Sequence, residues 1–575
     1  MKKEYTLFLA FLFSVFSSFA QMPNVGYWRT HVNYNNGIAV ASAGGLVYMA
    51  SEMGLFSYDK KDGEIERLSK VNGLSDIGFR HLTYNKKANS LLIIYENSNM
   101  DVLKNGKIHN MRDIRRSPII GDKSIYGYTQ HNELVYLATG FGIVVLDLKK
   151  IEITATYQFG PSGLSIKTNS VVVTADTIYA ATDSGIYQAP VKGANLQDFN
   201  FWTKKNIIGE PELAVKKMVL FDDKLYLLKA KAELNEDSIF YIKNNTLHYF
   251  DNNIVDRIYT MDSKGEELYI TYHFNATSFN KNGERVFHIA DYYTGITPLP
   301  RAITTDEKGH KWIADHGQGM VHTIDGVTTE VIKTPNGPKS RTAYKLSAAR
   351  NEVWVAPGGK DGISTGMHNF EPVSYLEDNE WKSIIPITPL SESISDILAI
   401  AINPHNINSK KYGASWPNGI VEIENGKAIK RYDATNSLIE HDDIKNQRSI
   451  IPSAAFDKDG NLWMINQFGK AGIKILKSDG KWKQITLPGI SPSEHLGEIF
   501  ITRDNYKWIT ILQNTQQIRV VVYDDNNTID DTSDDRIKTI GTEVGNGAIP
   551  GLSILSLAED LDGRMWIGTE SGLAV

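Results

Sequence analysis

A short apolar strand, carrying an aromatic residue near its start in all but one copy, recurs along most of the chain. Its copies are marked by Tyr48, Leu92, Tyr136, Tyr179, Tyr226, Tyr269, Trp312, Trp354, Tyr412, Trp463, Trp508 and Trp566. Neighbouring copies lie 42 to 58 residues apart. A period in the forties, built from strands and turns, indicates β-propeller blades. Because one such unit cannot bury its own faces, the copies must pack around a common axis.

Each repeat carries the signals of four short strands. In the fullest copy, residues 549–575, Ile554–Ala558 alternates as an inner strand and Asp562-Gly563 makes a tight hairpin turn. Outer strands begin near Glu64, Lys107, Glu380 and Lys481, and a glycine restarts the third strand at Gly54, Gly142, Gly185, Gly419 and Gly572. We expect positive φ at these glycines, since a Cβ disfavours it. Four strands joined by such turns are typical of a propeller blade.

The count of repeats predicts the domain plan. Seven second strands precede the loop-like residues 336–341, and five follow them. The sequence therefore predicts an all-β protein with two tandem seven-bladed β-propellers, over 36–335 and 342–575, joined by a linker at 336–341. The chain stops at Val575 inside a third strand. Since a propeller ending there would leave an open sheet edge, we expect the second propeller to be incomplete because the chain is truncated.

Residues 21–35 are left over from this plan. Within them Gly26–Tyr34 resembles an outer strand, although the first propeller already has its outer strands. We expect this N-terminal strand to close a ring by pairing with a blade from the other end of the chain. The second ring is favoured, and a simple cap on the first ring is the alternative.

Residues 1–20 have a basic start, an apolar run from Leu7 to Phe16 and a Ser-Phe-Ala end. This pattern is typical of a secretory signal peptide cleaved after Ala20, and the apolar run is too short to span a bilayer. No later segment is long and apolar enough for a membrane helix. We therefore expect an exported protein that does not span the membrane.

Composition excludes several classes of site. The chain has no cysteine, which excludes disulfides, thiolate metal sites, a cysteine nucleophile and a lipid-modified N-terminal cysteine. Its formal net charge is only -6 over 575 residues. Nucleic-acid binding needs a basic stripe, and none is concentrated in the sequence, so we expect no nucleic-acid partner.

The densest polar cluster is the acidic stretch 524–535. Oxygen-rich loops of this kind can hold Ca²⁺. Asp524, Asn526 and Thr528 alternate as in a calcium loop, but Ile529 replaces the turn glycine and Asp535 stands where a bidentate Glu belongs. We favour a solvated or structural hairpin tip and expect no cofactor, with a calcium site as the alternative.

No catalytic constellation emerges from the sequence. His310 and His316 flank a second strand beside Asp315 and are interpreted as surface histidines, and His495 lacks the second histidine of a zinc-protease helix. The glycine-rich segment at Gly358 is interpreted as an insertion loop, and the repeat tryptophans as wedges in the core rather than sugar platforms. We expect a non-enzyme with no catalytic or metal-binding residues, and the ligand-binding residues stay unassigned.

Particular segments of the sequence resemble two known families. The segment DGRMWIGTESGL around Trp566 resembles the propeller repeat of two-component regulators. LLIIYENSNMDVL from Leu91, YLATGFGIVVLDL from Tyr136, IEITATYQFG from Ile151 and IYAATDSGIY from Ile178 resemble the PorZ family of the type IX secretion system of Bacteroidota. The second resemblance extends from about Trp28 to the end of the chain, and its phrases are more specific than the general blade motif.

The PorZ resemblance implies a surface protein at the outer membrane. It implies a non-catalytic subunit of the attachment complex, working with the sortase PorU and with PorV and PorQ. It also implies binding of anionic lipopolysaccharide, which is presented to the sortase for attachment to secreted cargo.

Two other functional classes remain open at this stage. The blade motif alone equally fits the sensor ectodomain of a hybrid two-component regulator. A propeller lyase or glycosidase would need convergent carboxylates on one face of the ring, which sequence alone cannot reveal.

Overall fold

The computed structural model describes residues 26, 28–229, 237–250, 256–292, 295–332, 334–361, 365–384, 394–406, 408, 410–442, 447–512 and 518–575. The predicted signal peptide, 1–20, lies outside these residues. Within them, no helix has the length and apolar character needed to cross a membrane.

Seven four-stranded antiparallel sheets follow one another from Gly37 to Ile332, each with its strands paired in chain order. The first three sheets are β1 (Gly37–Ala43), β2 (Leu46–Ser51), β3 (Leu55–Asp59), β4 (Ile65–Leu68); β5 (Phe79–Asn85), β6 (Ser90–Tyr95), β7 (Met100–Lys104), β8 (Lys107–Met111); and β9 (Ile125–His131), β10 (Leu134–Thr139), β11 (Gly142–Asp147), β12 (Glu152–Tyr157). The next two are β13 (Thr168–Val173), β14 (Thr177–Thr182), β15 (Gly185–Pro190), β16 (Thr203–Lys204); and β17 (Lys217–Phe221), β18 (Lys224–Lys229), β19 (Ser238–Lys243), β20 (Thr246–Tyr249). The last two are β21 (Ile258–Lys264), β22 (Glu267–Tyr272), β23 (Ala276–Phe279), β24 (Arg285–Ile289); and β25 (Pro300–Thr305), β26 (Lys311–Asp315), β27 (Gly319–Thr323), β28 (Thr329–Ile332).

The first of these sheets packs against the seventh. Strand β1 contacts β25 and β26, and one buried cluster joins Val40 and Met49 to Trp312 and Met320. The innermost strands also contact one another between successive sheets, as β1 does with β5 and β17 with β21. We call these seven sheets the first ring, and the space enclosed by their innermost strands its channel.

Five further sheets, here called the second set, span Lys345 to Ala574. The first two are β29 (Lys345–Ala349), β30 (Glu352–Ala356), β33 (Val373–Glu377), β34 (Glu380–Ile384); and β35 (Ile397–Ala401), β36 (Lys411–Ser415), β37 (Gly419–Glu424), β38 (Lys427–Tyr432). The others are β39 (Ala454–Phe456), β40 (Leu462–Ile465), β41 (Ile473–Leu476), β42 (Trp482–Ile485); β43 (His495–Ile501), β44 (Lys507–Leu512), β45 (Arg519–Asp524), β46 (Arg536–Ile540); and the three-stranded β47 (Ile554–Glu559), β48 (Met565–Thr569), β49 (Gly572–Ala574). A small hairpin of β31 (Lys360–Asp361) and β32 (Thr365–Gly366) is inserted between β30 and β33, as expected for the loop at Gly358.

Helices contribute little to this architecture. One α-helical turn, α1 (Asp113–Arg116), and the 3₁₀ turns Lys70–Asn72, Pro161–Gly163 and Phe199–Phe201 lie between strands. The predicted all-β class and its four-stranded, propeller-type sheets are confirmed.

All twelve repeat positions lie in the second strand of a sheet, from Tyr48 in β2 to Trp566 in β48. The tryptophans at 312, 354 and 463 are buried, with Trp463 completely so, in clusters that join strands of the sheets. These three are therefore core residues, whereas Trp566 is 37% exposed.

An aspartate six residues before the tryptophan fixes three of these hairpins. Asp457 accepts the indole N–H of Trp463 at 2.8 Å through one carboxylate oxygen, and the backbone N–H of Asn461 at 2.8 Å through the other. The same contacts recur from Asp306 to Trp312 and from Asp560 to Trp566. One side chain thus closes the turn and anchors the strand that follows, because each carboxylate oxygen can accept separately.

The prediction of positive φ was wrong for one glycine. Gly142 and Gly572 have φ of 138° and 146°, as expected. Gly54 does not lie in that region of φ; a Cβ there would meet the ring of Tyr34 at 2.6 Å. Glycine is needed at this position because another part of the chain approaches closely.

The predicted N-terminal strand is also not observed, since residues 28–34 form no strand. Tyr34 is instead buried with the cluster that joins the first and seventh sheets. Upstream of it, His31 accepts from Trp381 Nε1 at 2.8 Å and Arg29 donates to Asn379 at 2.9 Å. The segment thus contacts both the first ring and the first sheet of the second set, and within the described residues it pairs with no strand of the last sheet.

The residues predicted as a linker, 336–341, lie between β28 and β29. They are firmly attached rather than loose. Asn336 exchanges two hydrogen bonds with the backbone of Trp381, and Arg341 forms ion pairs with Glu371 at 2.8 Å and with Glu52 of the first ring at 3.2 Å.

Candidate functional site

The acidic stretch 524–535 connects β45 to β46. Its Asp525 is buried and forms an ion pair at 2.6 Å with Lys507, which is also buried and lies 4.4 Å from the ring centre of Trp463. Nearer the tip, Asp530 pairs with Lys477 at 2.7 Å. The loop thus supplies the counter-charge for a lysine of its own sheet.

In the described part of the chain, no group of three or more His, Asp or Glu side chains could hold a metal ion. Calcium binding at 524–535 therefore stays a prediction without a ligand set in this structure.

The histidines singled out in the sequence do not come together. His316 lies 3.6 Å from Glu52, whereas His310 contacts His322 at 3.2 Å on the other end of β26. Asp315, between them in sequence, is buried and accepts from the hydroxyl of Tyr292 at 2.7 Å and from two backbone N–H groups. Asp315 thus links β26 to the segments that flank it. His495 lies elsewhere, in the second set, where it packs edge-on against Phe468.

A repeated irregularity marks the channel of the first ring. In six of its seven sheets the pairing of the innermost strand is interrupted after the first residue, so that the second residue is left out of register. β-Bulges of this kind commonly re-aim a side chain next to a functional site. The residues at this position, which we call the channel layer, are Ile38, Arg80, Tyr126, Asn169, Tyr259 and Arg301.

Two tyrosines of the channel layer each attract two cations. The Arg80 guanidinium lies 5.3 Å and the Lys167 ammonium 4.8 Å from the ring centre of Tyr126; these three residues form the Tyr126 cluster. The Arg301 guanidinium lies 3.7 Å and that of Arg257 5.7 Å from the ring centre of Tyr259; these three form the Tyr259 cluster. Cations at these distances are attracted by the aromatic ring.

Most of these cations have no acidic partner. Lys167 pairs with Asp183 at 3.1 Å. Among the described residues, no carboxylate forms an ion pair with Arg80, Lys217, Arg257 or Arg301. Burial raises the pKa of Asp122, but hydrogen bonds from Tyr126 and Ser124 and the charge of Arg80 bring it below its usual value.

Two nitrogen atoms in the described part of the first ring are buried without a hydrogen-bond partner, and both belong to innermost strands. They are Nη1 of Arg301 and Nε2 of His81. Burial, together with the charges of Lys217 and Arg80, lowers the pKa of His81 to about 3. The imidazole is therefore neutral at physiological pH, and Lys217 of the fifth sheet acts on a side chain of the second across the channel.

Sequence reasoning missed the channel layer. Its members lie ten to twelve residues before the aromatic repeat position, Arg80 before Leu92 and Arg301 before Trp312. Aligned on that position, the two tyrosines lie ten residues before it and the two arginines lie eleven and twelve residues before it, so the repeat places them in different columns. The sequence alone gives no sign of the bulges that bring them to the channel.

One family model matches part of the first ring. Residues 47–203 match the sequence model of the N-terminal β-propeller domain of PorZ of the type IX secretion system. No curated protein matches the chain.

Among solved structures, PorZ of Porphyromonas gingivalis, described as an essential bacterial surface component of the type IX secretion system, aligns with a TM-score of 0.82. The alignment has 20% identity and covers 95% of this chain and 72% of that one, which shows a shared fold. Extracellular domains of a hybrid two-component system and a one-component system from B. thetaiotaomicron align at 13% identity, with TM-scores of 0.39 and 0.37, over 94% and 96% of this chain and 81% and 72% of theirs. The resemblance to the PorZ family predicted from the first-ring phrases is thus confirmed over residues 47–203.

Proposed function

We propose that this protein is a non-catalytic surface subunit of the type IX secretion system. In this proposal it binds anionic lipopolysaccharide and presents it to the sortase PorU, in an attachment complex with PorV and PorQ. The observation that carries the proposal is the match of residues 47–203 to the PorZ N-terminal propeller. The unpaired cations of the channel layer support it, because they favour an anionic ligand.

The proposal includes an architecture and a location. The seven sheets of the first ring would be the blades of one propeller, and the five sheets of the second set would belong to another in tandem. Residues 1–20 would direct export, and the mature protein would act at the cell surface. Propeller rings present loops around a rigid opening, which suits a scaffold that binds without catalysing.

The test is deletion of the gene in the native bacterium. We expect cargo proteins to be retained with uncleaved sorting domains, or released without attached lipopolysaccharide, and a plasmid copy of the gene to restore both. The purified protein should retain PorU in a pull-down. Normal cargo cleavage and modification in the deletion strain would overturn the proposal and favour the sensor-ectodomain alternative, which would instead predict altered transcription in response to an external ligand.

A further inference from the structure

We infer that the first ring binds oxyanion groups, carboxylate or phosphate, at two arginines of its channel layer. The donors are Arg301 in the Tyr259 cluster and Arg80 in the Tyr126 cluster. The inference is drawn from the channel's own geometry, and it deepens the proposed function by assigning a place to an anionic group.

The first support is the imbalance of charge. Arg80, Arg301 and Lys217 lie on innermost strands and are partly buried. Elsewhere in the described chain the half-buried basic side chains of Lys60, Lys311 and Lys411 have carboxylate partners. Charges removed from water are costly unless an opposite charge meets them. A bound anion would supply that charge.

The second support is the state of Arg301. Its Nη1 is buried and donates to no acceptor of the protein, while burial lowers the pKa of its guanidinium. An unsatisfied buried donor is unfavourable, and a charge-assisted hydrogen bond to an oxyanion is about twice as strong as a neutral one. The free N–H therefore points to an acceptor that the protein itself does not provide.

The third support is preorganisation. The Arg301 guanidinium carbon lies 3.7 Å from the ring centre of Tyr259, and that of Arg80 lies 5.3 Å from the ring centre of Tyr126, so each arginine is held beside an aromatic ring. Guanidinium groups present N–H donors in a fixed fork that matches the two oxygens of a carboxylate or phosphate. In Arg301 the Nη1 donor of this fork has no hydrogen-bond partner in the described protein.

The experiment is isothermal titration calorimetry of the purified protein with three separate probes at about 0.15 M ionic strength. The probes are inorganic phosphate, glucuronate, and glucose as the neutral control. We expect phosphate or glucuronate to bind and glucose not to bind. Phosphate alone would identify the phosphate group as the ligand chemistry, and glucuronate alone the carboxylate.

Arg301→Gln should weaken that binding at least about tenfold, since a charged donor is lost. Arg285→Gln, an exposed arginine on the outermost strand β24 of the same ring, should leave it unchanged. Because Arg301→Gln could disturb the packing on Tyr259, its melting temperature is measured alongside, and Arg80→Gln serves as a second variant with the same expected loss.

Two results would overturn the inference: no binding of either anion by the wild type, or equal binding by the wild type and both channel variants. Such a failure is distinguishable from failure of the proposed function, because the deletion strain could still show defective cargo modification.

Discussion

The innermost strands of the first ring and those of the second set differ in the charged residues they carry and in how these are paired. In the first ring the bulge position holds Arg80, Tyr126, Tyr259 and Arg301, and the arginines have no acidic partner in the described chain. In the second set, the interrupted strands carry Leu398, Glu498 and Leu555 at or beside this position.

The charges that do occur on the innermost strands of the second set are neutralised. Lys345 of β29 and Glu498 of β43 form an ion pair with each other. The second set thus pairs these charges within the protein, whereas the first ring leaves arginines without an ion-pair partner in the described chain. This contrast supports the inference that the first ring binds an oxyanion.

The largest effect is expected at Lys507 and Asp525, the fully buried ion pair of the second set. Asp525→Ala would leave the ammonium buried and unpaired, at a cost of about 3–5 kcal/mol. Urea denaturation measures the free energy of unfolding. Asp530→Ala, which breaks the exposed pair with Lys477, is the control and should change it little; equal effects of the two changes would show that the buried pair has no special role.

A somewhat smaller loss is expected from Asp457→Ala. The indole of Trp463, the Asn461 amide and the turn N–H groups would lose their acceptor. With about 1–3 kcal/mol for each unsatisfied buried donor and partial relaxation of the turn, we expect about 3 kcal/mol in total. Asp560→Ala, at the more exposed copy of the motif around Trp566, should cost less in the same denaturation experiment. A larger loss at Asp560 would contradict this assignment.

The stability of the first ring should depend on pH through His81. A folded-state pKa of about 3 against about 6.5 unfolded means that the unfolded chain takes up the proton first. The stabilisation is therefore complete above about pH 6.5 and is lost as the pH falls toward 3. Linkage predicts a loss of about 2 kcal/mol between pH 7 and pH 5 from this residue.

Comparison of wild type with His81→Gln at both pH values measures this contribution, since the glutamine variant lacks that part of the dependence. Lys217→Gln should raise the pKa of His81, as seen by NMR titration of the imidazole. An unchanged pKa would show that the two side chains do not interact across the channel.

The sequence was sufficient for the architecture because the information is local and repeated. Tyr136 and Trp463 lie in equivalent strands since each stands near the start of the same kind of apolar segment, and strand pairing follows from that pattern. The N-terminal segment was misassigned for the opposite reason. His31 bonds to Trp381, 350 residues away, and no local pattern distinguishes such a segment from an outer strand.

The channel layer could be predicted from the sequence only in part. Tyr126 and Tyr259 lie at the same distance before the repeat position, which periodicity could have located, whereas Arg80 and Arg301 lie one or two residues further from it. Their lack of acidic partners depends on every side chain around the channel, and only the three-dimensional arrangement shows it.

The most direct test compares the two regions in one binding measurement. Anionic lipopolysaccharide is immobilised, and binding of the wild type, the Arg80→Gln/Arg301→Gln double variant and Lys345→Gln is measured by surface plasmon resonance. We expect the double variant of the first ring to bind at least about tenfold more weakly, and Lys345→Gln, in the second set, to bind like the wild type. Undiminished binding by the double variant, or an equal loss in Lys345→Gln, would contradict the assignment of the ligand to the first ring.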